Sequence, residues 1–163
     1  MRRLRQWLLL TAIACTAPQA FAASSSAFMN VSVRVISNCQ IAVTDLAFGA
    51  YDPLGDNAQH ALDATADVRM LCSRNAQANV MLDFGRNSRT LVRSMVAGPD
   101  RINYELFQDS SRTKPWGDGE NALHVFGVGG REAQRFVVYG RVSSGQEVPP
   151  GAYTDVVMAT VDF

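Results

Sequence analysis

The chain ends on a pattern that leaves few choices of fold: GAYTDVVMATVDF, Gly151 to Phe163. Tyr153, Val157, Ala159, Val161 and Phe163 share one parity. Thr154, Thr160 and Asp162 share the other, with Val156 and Met158 between them. Such alternation describes a half-buried β-strand, whose side chains point to opposite faces in turn. A strand needs partners, because an edge of unpaired N–H and C=O groups invites pairing with another chain. No turn and no further strand follows Phe163. The expectation is an unpaired edge near Thr154 to Phe163 that some other segment must complete.

The same period recurs upstream. Met29, Val31, Val33 and Val35 alternate with Asn30, Ser32 and Arg34; Val68, Met70 and Cys72 alternate with Asp67, Arg69 and Ser73. Val80, Leu82 and Phe84 alternate with Asn79, Met81 and Asp83; Ile102, Tyr104 and Leu106 alternate with Asn103 and Glu105. Leu46 to Asp56 is a short apolar piece ending in turn residues, and Phe136 to Tyr139 is a continuous apolar run. No paired helix start and stop signal appears. Asp63 to Met70, the best helical candidate, fits period two instead. Many short strands separated by turn residues predict an all-β sandwich.

Arg2, Arg3 and Arg5 precede a short apolar run, Trp7 to Ala14, and Ala20-Phe21-Ala22 is an A-x-A cleavage pattern. This predicts a signal peptide over residues 1–22 rather than a membrane span, which needs about 20 apolar residues. Cys15 lies in a poor lipobox. Cleavage would leave 141 residues, enough for one core, and would move the net charge from 0 to about −3. No basic face is left for nucleic acid. Cys39 and Cys72 remain, and an oxidising compartment makes a bridge between them the default.

The candidates for chemistry are weak. His60 and His124 stand in unrelated contexts, and with two distant cysteines they make a poor zinc site. Ser24 to Ser26 lie in a small-residue stretch, and no nucleophile elbow is present. Gly127 to Gly130 lacks the strand-to-helix setting of a phosphate loop and reads as a hairpin turn. Asp52, Asp56, Asp63 and Asp67 lack calcium-loop spacing. Trp116, in Lys114 to Gly117, reads as a packed aromatic lid, with carbohydrate stacking as the alternative. Neither an enzyme nor a cofactor is expected.

Taken in order, several of these segments resemble the spore coat protein U domain family, whose members include subunits of archaic chaperone–usher pili. The matching residues are Val31-x-Val33-x-Val35 before Cys39, then Leu46-x-Phe48-Gly49-x-Tyr51, Cys72 and Leu82-x-x-Gly85. Arg93-x-Met95, Tyr104-x-Leu106-x-x-Asp109, Trp116-Gly117, Pro150-Gly151-x-Tyr153-x-Asp155 and Val161-x-Phe163 follow. The resemblance implies an immunoglobulin-like β-sandwich lacking its final strand and completed by donor-strand complementation. It divides the chain into residues 23–37, an N-terminal extension with the donor strand, and residues 38–163, the sandwich. Met29, Val31, Val33 and Val35 would insert into a neighbouring subunit, and Val157, Ala159, Val161 and Phe163 would line the accepting edge. The implied partners are a periplasmic chaperone, an outer-membrane usher and further copies or related subunits, on the surface of a Gram-negative bacterium. The implied role is a pilus subunit serving adhesion and biofilm formation. The alternative is a non-polymerising surface-binding module, either a tip adhesin or a coat component. Tip adhesins of the family tend to carry an added domain, so a chain expected to hold a single domain favours the pilus subunit.

Overall fold

The computed structural model describes residues 23–128 and 130–163, with residues 125–128 described by backbone alone. The expected signal peptide, residues 1–22 with Cys15, lies outside the described residues.

Eight strands follow one another: β1 (Cys39–Val43), β2 (Leu62–Cys72), β3 (Ala76–Leu82), β4 (Arg93–Ala97), β5 (Asp100–Phe107), β6 (Leu123–Val128), β7 (Gln134–Val142) and β8 (Ala159–Asp162). They form a five-stranded sheet in the order β1-β2-β7-β5-β4 and a three-stranded sheet in the order β6-β3-β8. Every pairing is antiparallel. The expected helical candidate at Asp63 to Met70 is the middle of β2. The turn expected at Gly127 to Gly130 is not a hairpin, because β6 and β7 belong to different sheets. The connection therefore crosses between layers.

The core follows from period two. Val68, Met70 and Cys72 of β2, Ala78, Val80 and Leu82 of β3, and Ile102, Tyr104 and Leu106 of β5 are buried in one cluster. Their alternates, such as Arg69, Asn79 and Glu105, are exposed. Trp116 is 0% exposed, and its Nε1–H donates to the Val80 carbonyl at 2.9 Å. The ring is thus core, and carbohydrate stacking on it is excluded.

Cys39 and Cys72 form the expected disulfide, directly opposite each other in the β1–β2 register. The pairing extends one step further, where Ser73 N–H donates to Asn38 O at 2.8 Å and Asn38 N–H donates to Ser73 Oγ at 2.9 Å. There it stops. Residues 23–37 belong to no strand among the described residues.

The terminal strand is shorter than its sequence pattern. Only Ala159–Asp162 joins the three-stranded sheet. Upstream, Thr154 exchanges both backbone bonds with Val96 of β4, at 2.9 and 3.1 Å. The expectation of an unpaired edge beginning at Thr154 is corrected accordingly. Between these two pairings the segment crosses from the edge of one sheet to the edge of the other.

Candidate functional site

β8 has a partner on one side only, β3, in the register Asn79↔Asp162 to Leu82↔Ala159. Asp83 N–H donates to Met158 O at 3.0 Å, so the even-numbered residues turn their backbone groups to β3. In an antiparallel ladder the alternate residues face the other way. Ala159 and Val161 therefore present N–H and C=O to an open edge. Just upstream, the N–H and C=O of Asp155 and Val157 have no partner among the described residues.

A second vacant edge faces this one. After Thr44 N–H, which donates to Asp67 O at 2.9 Å, residues Asp45 to Tyr51 make no backbone-to-backbone bond among the described residues. Leu46 and Phe48 turn inward and pack against the core, while Asp45, Ala47 and Gly49 are exposed. The segment lies close on β7 at Gly140. A Cβ there would sit 2.9 Å from both Leu46 Cδ1 and Phe48 Cζ, so any larger residue would push these two side chains off β7. Phe48 meets Tyr104 edge to face at 6.1 Å. The far end is pinned by Tyr51, whose hydroxyl donates to Ser143 O and accepts from Gln146 N–H, both at 2.9 Å.

Between the two walls lie two adjoining hollows. The first, about 370 Å³, runs between residues 43–48 and 153–159 over a floor that includes Val68, Leu106 and Val138. The second, about 1060 Å³, runs between residues 46–54 and 147–153. Leu46, Phe48, Met95 and Tyr153 line both, so they form one groove. The walls run antiparallel, with low numbers on one opposite high numbers on the other. The groove has the shape of a sheet with one strand left out, and its floor is the apolar inner face of the five-stranded sheet.

One polar cluster stands in the groove wall. Tyr104 O–H donates to Asp155 Oδ2 at 2.7 Å, and Asn87 donates through its backbone N–H and its Nδ2 to Asp155 Oδ1 at 3.1 and 3.0 Å. Burial, then the bond to Asp155, pushes the Tyr104 hydroxyl well above its ordinary pKa, which keeps it a neutral donor. Gly85, at φ +82°, lies against the same carboxylate. Nearby, the buried Arg93 donates to the carbonyls of Asp83, Leu82 and Trp116 at 2.8–2.9 Å and lies 5.2 Å from the Phe84 ring centroid. Burial lowers its pKa, but an arginine has ample margin to stay charged. It ties the end of β3 to the loop that carries Trp116.

Of the residues expected on the accepting edge, Val157 and Ala159 line the groove, whereas Val161 and Phe163 lie beyond its lining. Val157, Ala159 and Val161 pack partly against the core, and Val156 and Met158 face out. Phe163 follows the last paired residue and is 57% exposed. The expected donor residues are all open to solvent: Met29, Val31, Val33 and Val35 are 84–88% exposed. The sequence reading missed the opposite wall, although its Leu46-x-Phe48 alternation is visible. It also missed the Tyr104–Asp155 contact, whose partners are 51 residues apart. His60 and His124 are exposed and separate, bonded to Asp56 O and Asn79 Oδ1. Among the described residues no group of three or more His, Cys, Asp or Glu could hold a metal.

Comparison with known proteins adds three findings. The model of the Spore Coat Protein U domain matches residues 25–160. Protein U of Myxococcus xanthus is 31% identical over 157 residues, covering 87% of both chains. A chain in the crystal structure of the CsuC–CsuE chaperone–tip adhesion subunit pre-assembly complex, from archaic chaperone–usher Csu pili of Acinetobacter baumannii, superposes with a TM-score of 0.57 at 22% identity. The match covers 79% of this chain and 40% of that one. It shows a shared fold.

Proposed function

The chain belongs to the Spore Coat Protein U domain family, and from that premise we propose that it is a structural subunit of a surface fibre assembled by donor-strand exchange. As a member of that family it is a structural protein, not an enzyme. The proposal rests on one observation. A sheet with a strand-wide gap, edged on both sides by unpaired backbone, occurs in a chain that also carries an unpaired apolar segment at period two. Residues 27–36 expose Phe28, Met29, Val31, Val33, Val35 and Ile36 at 71–104%. A strand of that pattern supplies main-chain bonds to both walls and side chains to the floor, which is β-strand addition. Met29, Val31, Val33 and Val35 are the inserting residues, and the next copy receives them along Val157, Ala159, Val161 and Phe163 and the facing wall.

An open groove of this kind aggregates unless it is covered. A periplasmic chaperone that lends a strand until the next subunit replaces it answers that need, and an outer-membrane usher would order the exchange. Export to the periplasm and display as an adhesive, biofilm-forming pilus belong to the same reading.

Val33→Asp tests it. Burying a valine stabilises by about 1.5–3 kcal/mol, and an unpaired buried carboxylate is far costlier. The variant should fold, bind its chaperone and fail to polymerise. Normal fibres from it would sink the assignment of the donor strand.

A further inference from the structure

The wall strand carries an irregularity on its outer face. Its outward residues are Thr154, Val156, Met158, Thr160 and Asp162. Two successive ones are large and apolar: Val156 is 52% exposed and Met158 63%. A sheet face turned to water normally carries polar residues at such positions.

The N-terminal segment has the matching irregularity. Its inserting parity is Met29, Val31, Val33 and Val35. The other parity reads Phe28, Asn30, Ser32, Arg34, Ile36: apolar at both ends and polar between. Phe28 is 104% exposed and Ile36 71%. Residues opposite one another on neighbouring strands share a face. Placing the four inserting residues against Val157, Ala159, Val161 and Phe163 therefore also matches the two outer faces. If the strand enters antiparallel to β8, Val35 meets Val157, Ile36 meets Val156 and Ser32 meets Thr160. If it enters parallel, Met29 meets Val157, Phe28 meets Val156 and Ser32 again meets Thr160. The outer pattern is symmetric, so either direction brings an apolar end directly opposite Val156 and diagonal to Met158, whose own opposite residue is Arg34 or Asn30.

Resting on the strand-exchange reading, we propose that Val156 and Met158 form a second, outer contact of the joint between two copies of this chain. It is covered by the apolar end of the incoming strand, Ile36 or Phe28 according to its direction. The joint is then held from both faces of the sheet: by pockets within and by an apolar clasp without. The clasp also accounts for apolar residues on a parity that the groove does not use.

The test uses assembled fibres. A Val156→Ser, Met158→Ser chain should still polymerise, since both side chains are exposed in the isolated subunit. Its fibres should dissociate in denaturant about 2–10-fold faster than the parent's, the scale of one direct and one diagonal cross-strand pair. In fibres mixed from two chains, Val156→Cys in one and either Ile36→Cys or Phe28→Cys in the other should give an intermolecular disulfide for one of the two combinations, which also reads the strand's direction. Parent-like dissociation of the double serine variant, or no cross-link from either combination, would overturn the clasp. Normal polymerisation by Val33→Asp is a separate outcome: it would remove the strand-exchange reading beneath it, whatever the clasp variants did.

Discussion

Gly85→Ala isolates how the wall of the groove is held in place. Gly85 sits at φ +82°, where an L side chain costs about 1–2 kcal/mol. An added Cβ would lie 2.0 Å from Asp155 Oδ2 and 2.9 Å from its Cγ, so the carboxylate must leave. It is not free to do so, since it is held by Tyr104 O–H at 2.7 Å and by Asn87 twice. Displacing it strands the buried Tyr104 hydroxyl, a loss of about 1–3 kcal/mol. The expected total is about 2–5 kcal/mol, against a typical domain stability of about 5–15 kcal/mol. Gly98→Ala supplies the control, because Gly98 has φ +60° with nothing within 4 Å of its added Cβ. It should cost only the backbone share. Urea unfolding followed by Trp116 fluorescence measures both, in subunits whose groove is filled by a copy of residues 27–36 fused after Phe163. In an Asp155→Ala background the carboxylate is already gone, and Gly85→Ala should fall to about 1–2 kcal/mol. Equal costs for Gly85→Ala and Gly98→Ala, or an unchanged cost in the Asp155→Ala background, would refute the reasoning.

The Cys39–Cys72 bridge closes a separation of 33 residues. Replacing both cysteines by alanine should therefore cost about 3–4 kcal/mol and lower the melting temperature by about 10 °C; a loss below about 1 kcal/mol would contradict this. Because β1 is an edge strand whose N-terminal end leads directly into residues 27–36, load on that segment should peel β1 at lower force without the bridge. Force spectroscopy should then record up to ~115 Å of added extension, ~3.5 Å for each freed residue. Acid stability has a predicted sign as well. The hydrogen bond from Arg141, aided by the charge of Arg112, holds the Asp63 carboxyl below its ordinary value. Its contribution is therefore complete above the unfolded value near 4 and is lost as pH falls through the lowered folded value. The pair is largely exposed, so Asp63→Asn should flatten the acid limb by no more than about 1 kcal/mol; an identical limb would exclude the contribution.

Whatever depends on a residue and its near neighbours was legible in the sequence. Alternation from Val68 to Cys72, Val80 to Leu82 and Ile102 to Leu106 named the strands and their buried faces, because a strand's side chains change sides at every residue whatever it pairs with. The two cysteines outside the expected signal peptide named the bridge. The parity of Met29 to Val35 and of Val157 to Val161 named the two halves of the proposed joint. Tertiary structure decided which edges remain vacant. Thr154 pairs with Val96 although its local pattern matches the open stretch beyond it. The facing wall, Asp45 to Tyr51, is placed by Leu46 and Phe48 lying against Gly140 of β7 and by the Tyr51 hydroxyl bonded to Ser143 O, 92 residues further along the chain. Asp155 finds Tyr104 across 51 residues, and Arg93 finds the carbonyls of Leu82 and Trp116 across 11 and 23. Period two specifies which face of a strand is buried. It does not specify which strand lies beside it, since the backbone bonds of a sheet are the same for every residue and only packing of distant segments chooses among them.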